Sequence, residues 1–372
     1  VDVMYEADRA DERVKIGLVP FVTTVNIDDT STTGSFRQSW IDVNGNAKHN
    51  GENFNAGPQP NHHSALFAAS GVPWKGCVEA RAEPYDTDMT PPVGDPDTLF
   101  VPFFSPDMDD NMRDYRNSYI DEPRRGPPPH VVQRDASRYY TQTVRSVDHH
   151  INGVGPNRGC PRPLVNLTND RDMLYAEIDA MQGWSGGGTN IAMGAFWAWN
   201  LLDPEEPFSD AQPFTDKETV KAMVLLTDGE NVITNPGGNT DNSTNFNGSD
   251  YTGYGFLLKN GIYDGLDRGQ TSAAKRGQPN RLNANDNRSA AQAVDTKVEE
   301  MCTKIKASKI RLYTITFQLN GAGQQYLRDL FAACASPDGF GGTLYYNSPD
   351  NATLQTIFRD IAQDLSTLRV VR

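Results

Sequence analysis

The sequence has few basic residues for its length and no long apolar run. Its 372 residues include 34 Lys and Arg against 48 Asp and Glu, which gives a formal net charge of −14. Because nucleic-acid binding depends on clustered basic side chains, this balance argues against DNA or RNA as a partner. No stretch approaches the roughly 20 apolar residues of a transmembrane helix, and no secretory signal is present. We therefore expect a soluble chain or the mature part of a longer precursor.

The motifs of several common enzyme classes are also missing. No G-x-S-x-G motif occurs, and no P-loop or dinucleotide-binding glycine motif follows a strand. The four cysteines include no Cys-x-x-Cys pair, which argues against a zinc site. The pairs His62-His63 and His149-His150 lie in loop-rich stretches, and we expect them to be polar surface rather than metal ligands.

Two stretches, residues 45–165 and 234–288, are dense in loop-forming residues. The chain has 32 Gly and 24 Pro, and the poor periodicity of these stretches predicts large insertions on a compact scaffold. Aromatic side chains in the first stretch argue against a disordered tail. Its acidic run, Asp107-Met-Asp-Asp110 with Asn111, lacks EF-hand spacing. We expect a solvated loop there, with a calcium site as the alternative.

Residues 1–44 and 166–372, apart from the insertion over 234–288, alternate between strand and helix patterns. The apolar run Ala222–Leu226 predicts a strand that is buried on both faces. The other predicted elements are a strand over 14–27, helices over 170–181 and 289–307, a strand over 310–317, a helix over 323–334, a strand over 343–346 and a final helix capped by Asp350. This order predicts an α/β fold with a doubly wound, mostly parallel sheet.

Two oxygen-bearing side chains flank this predicted sheet. Asp228 stands at the carboxyl tip of the strand over 222–226, where open α/β sheets bind ligands. Thr189 lies on a glycine-rich loop before an apolar helix whose Trp197 and Trp199 we assign to the core. A hydroxyl and a carboxylate suit a hard divalent cation, so Thr189 and Asp228 are the candidate metal ligands.

The segments Gly187-Gly-Thr-Asn-Ile191 and Leu225-Leu-Thr-Asp-Gly229 resemble the second and third metal loops of a von Willebrand factor A (VWA) domain. The Trp-rich helix after Thr189, the strand beginning at Val14 and the tail from Tyr345 resemble the TadG-like proteins, which are VWA-containing envelope proteins of bacterial Tad (Flp) pilus systems. The resemblance implies a VWA-type, Rossmann-like fold and a periplasmic or cell-surface location. It also implies a membrane anchor in a longer precursor.

The same resemblance assigns roles to the two candidate ligands. Thr189 and Asp228 would hold Mg²⁺, or Mn²⁺ or Ca²⁺, and an acidic residue of a partner protein would complete the shell. However, the family's first metal loop, Asp-x-Ser-x-Ser after the central first strand, does not precede Val14. Asp29 and Ser31 have suitable residue types, but no long helix pattern follows them, so we expect an ordinary turn. We therefore expect weak metal binding and a sheet that needs one more strand.

The resemblance also bears on the cysteines. Three pairings are possible, and the simplest joins Cys77 to Cys160 and Cys302 to Cys334, each within one region. The oxidising envelope that the family occupies favours these disulfides over four free thiols.

The implied function is non-enzymatic and depends on protein partners, in the assembly or anchoring of an adhesive pilus. The alternative is a degenerate, metal-free VWA scaffold in a larger surface assembly. A metal-dependent hydrolase is disfavoured, because no candidate general base accompanies the metal ligands.

Overall fold

The computed structural model describes residues 14–27, 39–55, 57–108, 117–121, 134–145, 147, 153–184, 188–232, 251–256, 281 and 287–370. The strands in this part of the chain are β1 (Ile16–Leu18), β2 (Val25–Asn26), β3 (Cys77–Val78), β4 (Val165–Thr168), β5 (Ala222–Thr227), β6 (Tyr251–Thr252), β7 (Gly255–Phe256), β8 (Arg311–Phe317) and β9 (Tyr345–Ser348). The α-helices are α1 (His63–Ser70), α2 (Arg138–Thr141), α3 (Arg171–Asp179), α4 (Ile191–Leu202), α5 (Asn287–Ala307), α6 (Gln325–Cys334) and α7 (Asn351–Val370).

A three-stranded parallel sheet in the order β5–β8–β9 lies at the centre of the α/β part. Met223 of β5 pairs with Leu312 of β8, and Thr314 of β8 pairs with Tyr345 of β9. Helix α5 precedes β8 and helix α6 precedes β9, so each parallel pair is joined through a helix. The α/β class with a parallel sheet is thus as predicted.

Helices cover both faces of this sheet. On one face, Met223, Leu225 and Leu312 pack in the main core with residues of α4, α5 and α6. On the other, Tyr313 and Ile315 pack with Ile357 and Ile361 of α7. Leu312 and Tyr313, which are neighbours in β8, belong to opposite faces, because successive side chains of a strand point to opposite sides of the sheet.

The prediction that β5 is buried on both faces is wrong. Met223 and Leu225 are each 4% exposed, but Val224, which points to the other face, is 38% exposed. Ala222 and Leu226 on the same face are partly buried against the cluster around α7, whereas Tyr313 and Ile315 of β8 are fully buried there. This face is therefore covered less completely over β5 than over β8, which leaves the side chain of Val224 exposed.

Side-chain caps explain where the helices begin. Asp170 accepts a hydrogen bond from the amide of Met173 at 2.9 Å, and Asp350 accepts one from the amide of Thr353 at 2.8 Å. Asn190 caps α4 in the same way through the amide of Met193 at 3.2 Å. Such caps satisfy amides that the first helical turn leaves without a partner.

The predicted strand over 14–27, in which Pro20 marks a bulge or a strand end, forms two short strands. Strand β1 pairs antiparallel with β4, whereas β2 pairs antiparallel with β3. Pro20 lies between them and cannot donate a ladder hydrogen bond, which accounts for the interruption.

One large core joins the α/β part to the region over 45–165. Phe100 of that region contacts Trp197 of α4, with ring centroids 4.7 Å apart. Trp197 is fully buried and Trp199 is 4% exposed, which confirms that both belong to the core. The described residues of the 45–165 region therefore pack as part of the same folded body.

Two disulfides tie the molecule together. Cys77 is bonded to Cys160 and Cys302 to Cys334, with sequence separations of 83 and 32 residues. This is the pairing within each region that the sequence analysis favoured. The first bridge lies in the loop-rich region, and the second joins α5 to the end of α6.

Candidate functional site

The loops that carry Thr189 and Asp228 meet at the carboxyl end of β5. Thr189 and Val232 form a two-residue antiparallel bridge, in which each amide donates to the other's carbonyl at 2.9 Å. Gly188 adopts φ +78°, and a Cβ there would lie 1.7 Å from the carbonyl oxygen of Val232. Only glycine allows this approach, so the glycine before Thr189 joins the two loops.

Two buried asparagines fix the same loops to the helices behind them. Asn231 accepts a hydrogen bond from the amide of Ile191 at 2.8 Å and donates one to Asp295 of α5 at 2.7 Å. Asn190 donates to the carbonyl of Thr23 at 3.2 Å. These bonds hold Thr189 at the start of α4, beside the segment that follows Asp228.

The two predicted ligands supply too few oxygens for a complete metal site. Asp228 is exposed and Thr189 is half-buried, and together they offer two side-chain groups, whereas Mg²⁺ requires six oxygen ligands. Among the residues that the structure describes, no group of three or more His, Cys, Asp and Glu side chains could hold a metal ion. Asp29 and Ser31 lie outside the described residues. The described chain alone therefore does not fit a tightly bound cation.

A buried polar cluster around Glu79 was missed by the sequence analysis. The Tyr251 hydroxyl donates to Glu79, and Nη1 of Arg281 lies 2.9 Å from its Oε2. Nδ1 of His63 lies 2.7 Å from the carbonyl of Pro102, which places the proton on Nδ1. The same atom is 3.6 Å from Oε1 of Glu79. The cluster joins three distant parts of the chain.

The expectation that His62 and His63 are both surface residues is wrong for His63, which is fully buried. His62 is half-buried and caps α1, accepting from the amide of Ala65 at 3.3 Å. His149 and His150 lie outside the described residues. His62 and His63 stand at the start of a short helix, and the side chain of His63 points into the core. The loop-like composition around the pair gives no sign of this helix, so the sequence does not predict the burial of His63.

Burial sets the protonation of this cluster. It raises the pKa of Glu79 to about 8, against the opposing effect of Arg281. It also raises the pKa of Glu52 to about 7 and lowers the pKa of His63 to about 4. Desolvation disfavours the charged form of each group. Because Glu79 and His63 are closed to solvent, we interpret the cluster as a structural tie between the 45–165 region and residues 251 and 281.

The predicted solvated acidic loop is also wrong where the structure describes it. Asp107 is fully buried, forms an ion pair with Arg138 and accepts a hydrogen bond from the amide of Ile120 at 2.7 Å. Asp109 to Asn111 lie outside the described residues. The carboxylate of Asp107 thus compensates a buried cation and nearby amides, which is a structural role.

The sequence contains a signal for the loop junction but none for the cluster. The Gly-rich stretch before Thr189 and the Thr-Asp-Gly after β5 mark the junction locally. The cluster draws on residues 63, 79, 251 and 281, which share no period or spacing.

No family model, curated protein or solved structure matches this chain.

Proposed function

We propose that this chain is a non-enzymatic binding protein of the VWA type, located outside the bacterial cytoplasm and serving the assembly or anchoring of an adhesive pilus. One observation carries the proposal. Within the described residues β5 pairs with a strand on one side only, and its Val224 is 38% exposed. An open strand edge with an exposed apolar side chain is the kind of surface to which a partner adds a strand.

A second group of exposed apolar side chains supports binding of a protein. Helix α3 buries Leu174 against Val14 and Val165. Met173 and Ile178 of this helix are 48% and 38% exposed, and Met181, just after its end, is 41% exposed. Several large apolar side chains exposed on one short segment favour a protein interface over a solvated surface.

The proposed location rests on the covalent bonds of the chain. Two disulfides suit an oxidising compartment such as the periplasm or the cell surface. Within the residues that the structure describes, no helix is both long and apolar enough to cross a membrane.

The candidate ligands have a limited role in this proposal. When bound, a divalent cation would supply a bridge between Thr189 and Asp228 and a carboxylate of the partner. Because these two residues offer only two of the six oxygens that Mg²⁺ requires, the same observation favours the second candidate, a metal-free VWA scaffold. Both candidates share the open surface of β5 and differ in their need for Asp228.

The test is made in the bacterium that encodes the chain. Val224→Asp places a charge on the open surface of β5, and Val93→Asp makes the same change at a loop residue that is 62% exposed. Both variants should be produced at wild-type levels, because both side chains have access to solvent. We expect Val224→Asp to abolish surface pili and adhesion and Val93→Asp to retain them.

Three outcomes are decisive. Intact pili in the Val224→Asp variant would show that the partner does not bind at β5. Intact pili after deletion of the whole gene would exclude a function in pilus assembly or anchoring. Asp228→Ala separates the two candidates, because pili lost in this variant require the metal bridge, whereas pili retained favour the metal-free scaffold.

A further inference from the structure

Lys297 of α5 forms a buried ion pair with Asp86, which belongs to the short 3₁₀ helix Tyr85–Thr87. Nζ of Lys297 lies 2.7 Å from Oδ2 of Asp86, and both side chains are buried. The pair joins α5 to the 45–165 region. An amine and a carboxyl are thus held in contact at a place that water hardly reaches.

A second carboxylate contacts the same nitrogen. Oε1 of Glu83 lies 2.7 Å from Nζ of Lys297, whereas the side chain of Glu83 is 69% exposed. Glu83 therefore reaches from the solvent to the buried amine. A carboxylate in this position can take a proton from Nζ and exchange it with water.

The described neighbours of Asp86 satisfy only one of its two carboxylate oxygens. Oδ2 contacts Lys297, whereas Oδ1 is buried and has no hydrogen-bond partner among the described residues. Buried polar atoms are nearly always paired, and a buried charge that is incompletely paired is costly. Loss of the charge would lower this cost, because a neutral carbonyl is less expensive to bury than a carboxylate.

We propose that Lys297 and Asp86 condense to an intramolecular isopeptide bond. The ammonium group passes one proton to Oδ2 of Asp86, and the neutral Nζ then forms a bond to Cγ. A second proton moves from Nζ through Glu83 to the same oxygen. The bond between Cγ and Oδ2 breaks, and Oδ2 leaves as water with both protons. The product is a neutral amide that keeps Oδ1 as its carbonyl oxygen, and the step needs no oxidant or reductant.

The surroundings of the pair favour this reaction. Holding Nζ against the carboxyl makes the condensation intramolecular, which removes much of its entropic barrier. Burial raises the pKa of Asp86, which favours the protonated carboxyl that an amine can attack. Burial opposes the charge of Lys297 as well, but Asp86 and Glu83 outweigh it and raise the pKa of Lys297. The amine must therefore lose its proton within the pair, and Glu83 is in contact to accept it.

Mass spectrometry of the intact, purified chain tests the proposal. After reduction of the two disulfides, the chain should weigh less than the mass calculated from its sequence by one water molecule. Proteolysis should release a branched peptide in which Asp86 is joined to Lys297. The ion pair of Lys304 and Glu300 is an internal control, because its atoms lie 2.6 Å apart in a more exposed place and should stay unlinked.

Four variants identify the groups that react. Lys297→Arg keeps the positive charge without the amine, and Asp86→Ala removes the carboxyl, so both should have the full mass. Glu83→Gln removes the proton acceptor at Nζ, which should slow the condensation by about 100-fold or more and leave the freshly purified chain largely unlinked. Lys304→Arg is the matched control and should lose one water molecule as the wild type does.

The wild-type mass alone can overturn the proposal, so the test does not depend on how well the variants fold. A chain with the full mass, and with Asp86 and Lys297 in separate unmodified peptides, contains no such bond. A loss of water that persists in Lys297→Arg would also overturn the proposal, because the water would then have left another site. Complete linkage in Glu83→Gln would overturn the proton transfer assigned to Glu83.

Discussion

Gly188 and Val232 approach each other so closely that a Cβ on residue 188 would lie 1.7 Å from the carbonyl oxygen of Val232. This contact joins the loop before α4 to the loop after β5, and it places Thr189 beside the segment that follows Asp228. Since the positions of both candidate ligands depend on it, the contact should be sensitive to the smallest possible substitution.

Gly188→Ala should separate the two loops. The added methyl group collides with backbone, and φ +78° disfavours any side chain, so we expect a loss of about 2–3 kcal/mol in the free energy of unfolding. Gly183→Ala is the matched control, because a Cβ at residue 183 meets nothing within 4 Å. Urea denaturation measures both variants. Equal stability of the two would contradict the close contact.

The chain alone should bind divalent cations weakly. Thr189 and Asp228 provide two ligands where Mg²⁺ requires six, so we expect a dissociation constant of about 1 mM or weaker. Calorimetry with Mg²⁺ and Mn²⁺ measures it, with Asp179→Ala as a control for an exposed carboxylate elsewhere. Micromolar affinity that disappears in Asp228→Ala would show a complete site and would point to Asp29 and Ser31 as its further ligands.

Stability should fall as the pH rises above neutrality. Glu79 has its pKa raised to about 8 in the folded protein, so the folded state binds a proton that the unfolded state releases near its ordinary pKa. The contribution of this proton to the free energy of unfolding is complete below the ordinary pKa of a glutamate and is lost as the pH rises through about 8. Between pH 6 and 8.5 the free energy of unfolding should fall by on the order of 2 kcal/mol. Burial raises the pKa of Glu52 and Asp107 to about 7, which adds in the same direction.

Glu79→Gln identifies the group responsible. Glutamine resembles the protonated carboxyl and does not titrate, so the variant should lose less stability than the wild type between pH 6 and 8.5. Thermal unfolding across this range measures the effect, with Glu205→Gln, an exposed position, as the control. An unchanged pH profile in Glu79→Gln would show that Glu79 is already ionised at neutral pH.

The two disulfides should differ in their contribution to stability. The Cys77–Cys160 bridge closes a loop of 83 residues and the Cys302–Cys334 bridge one of 32. The entropy of loop closure then gives about 4.5 and about 4 kcal/mol, so replacing the first pair by alanine should cost slightly more. Denaturation of the two double variants tests the order. A greater cost for the shorter loop would show that strain or residual structure outweighs loop length.

Local patterns predicted the α/β elements well. The sequence predicts a helix over 170–181, with several possible caps at 168–170, and a final helix capped by Asp350; the side chains of Asp170 and Asp350 cap these helices. The strand over 222–226 and the position of Asp228 at its carboxyl tip likewise follow from one continuous segment. Each of these features depends on neighbouring residues, and for that reason the sequence alone was sufficient.

Features that depend on distant residues were not predictable in the same way. His63, Glu79 and Arg281 meet only when three separate segments fold together, so their residue types suggested surface and loops. The apolar neighbours of Val224 predict a strand buried on both faces, but burial on each face depends on which helix covers it. The exposure of Val224 is therefore a property of the assembled fold.

Photo-crosslinking from position 224 tests most directly whether a partner covers the open surface of β5. A photoreactive phenylalanine analogue replaces Val224 in the organism that makes the chain, and Val93 is replaced in a parallel strain. We predict one discrete adduct from position 224, containing a protein of the pilus assembly, and none from position 93. No adduct from position 224, or the same adducts from both positions, would contradict the proposed partner surface.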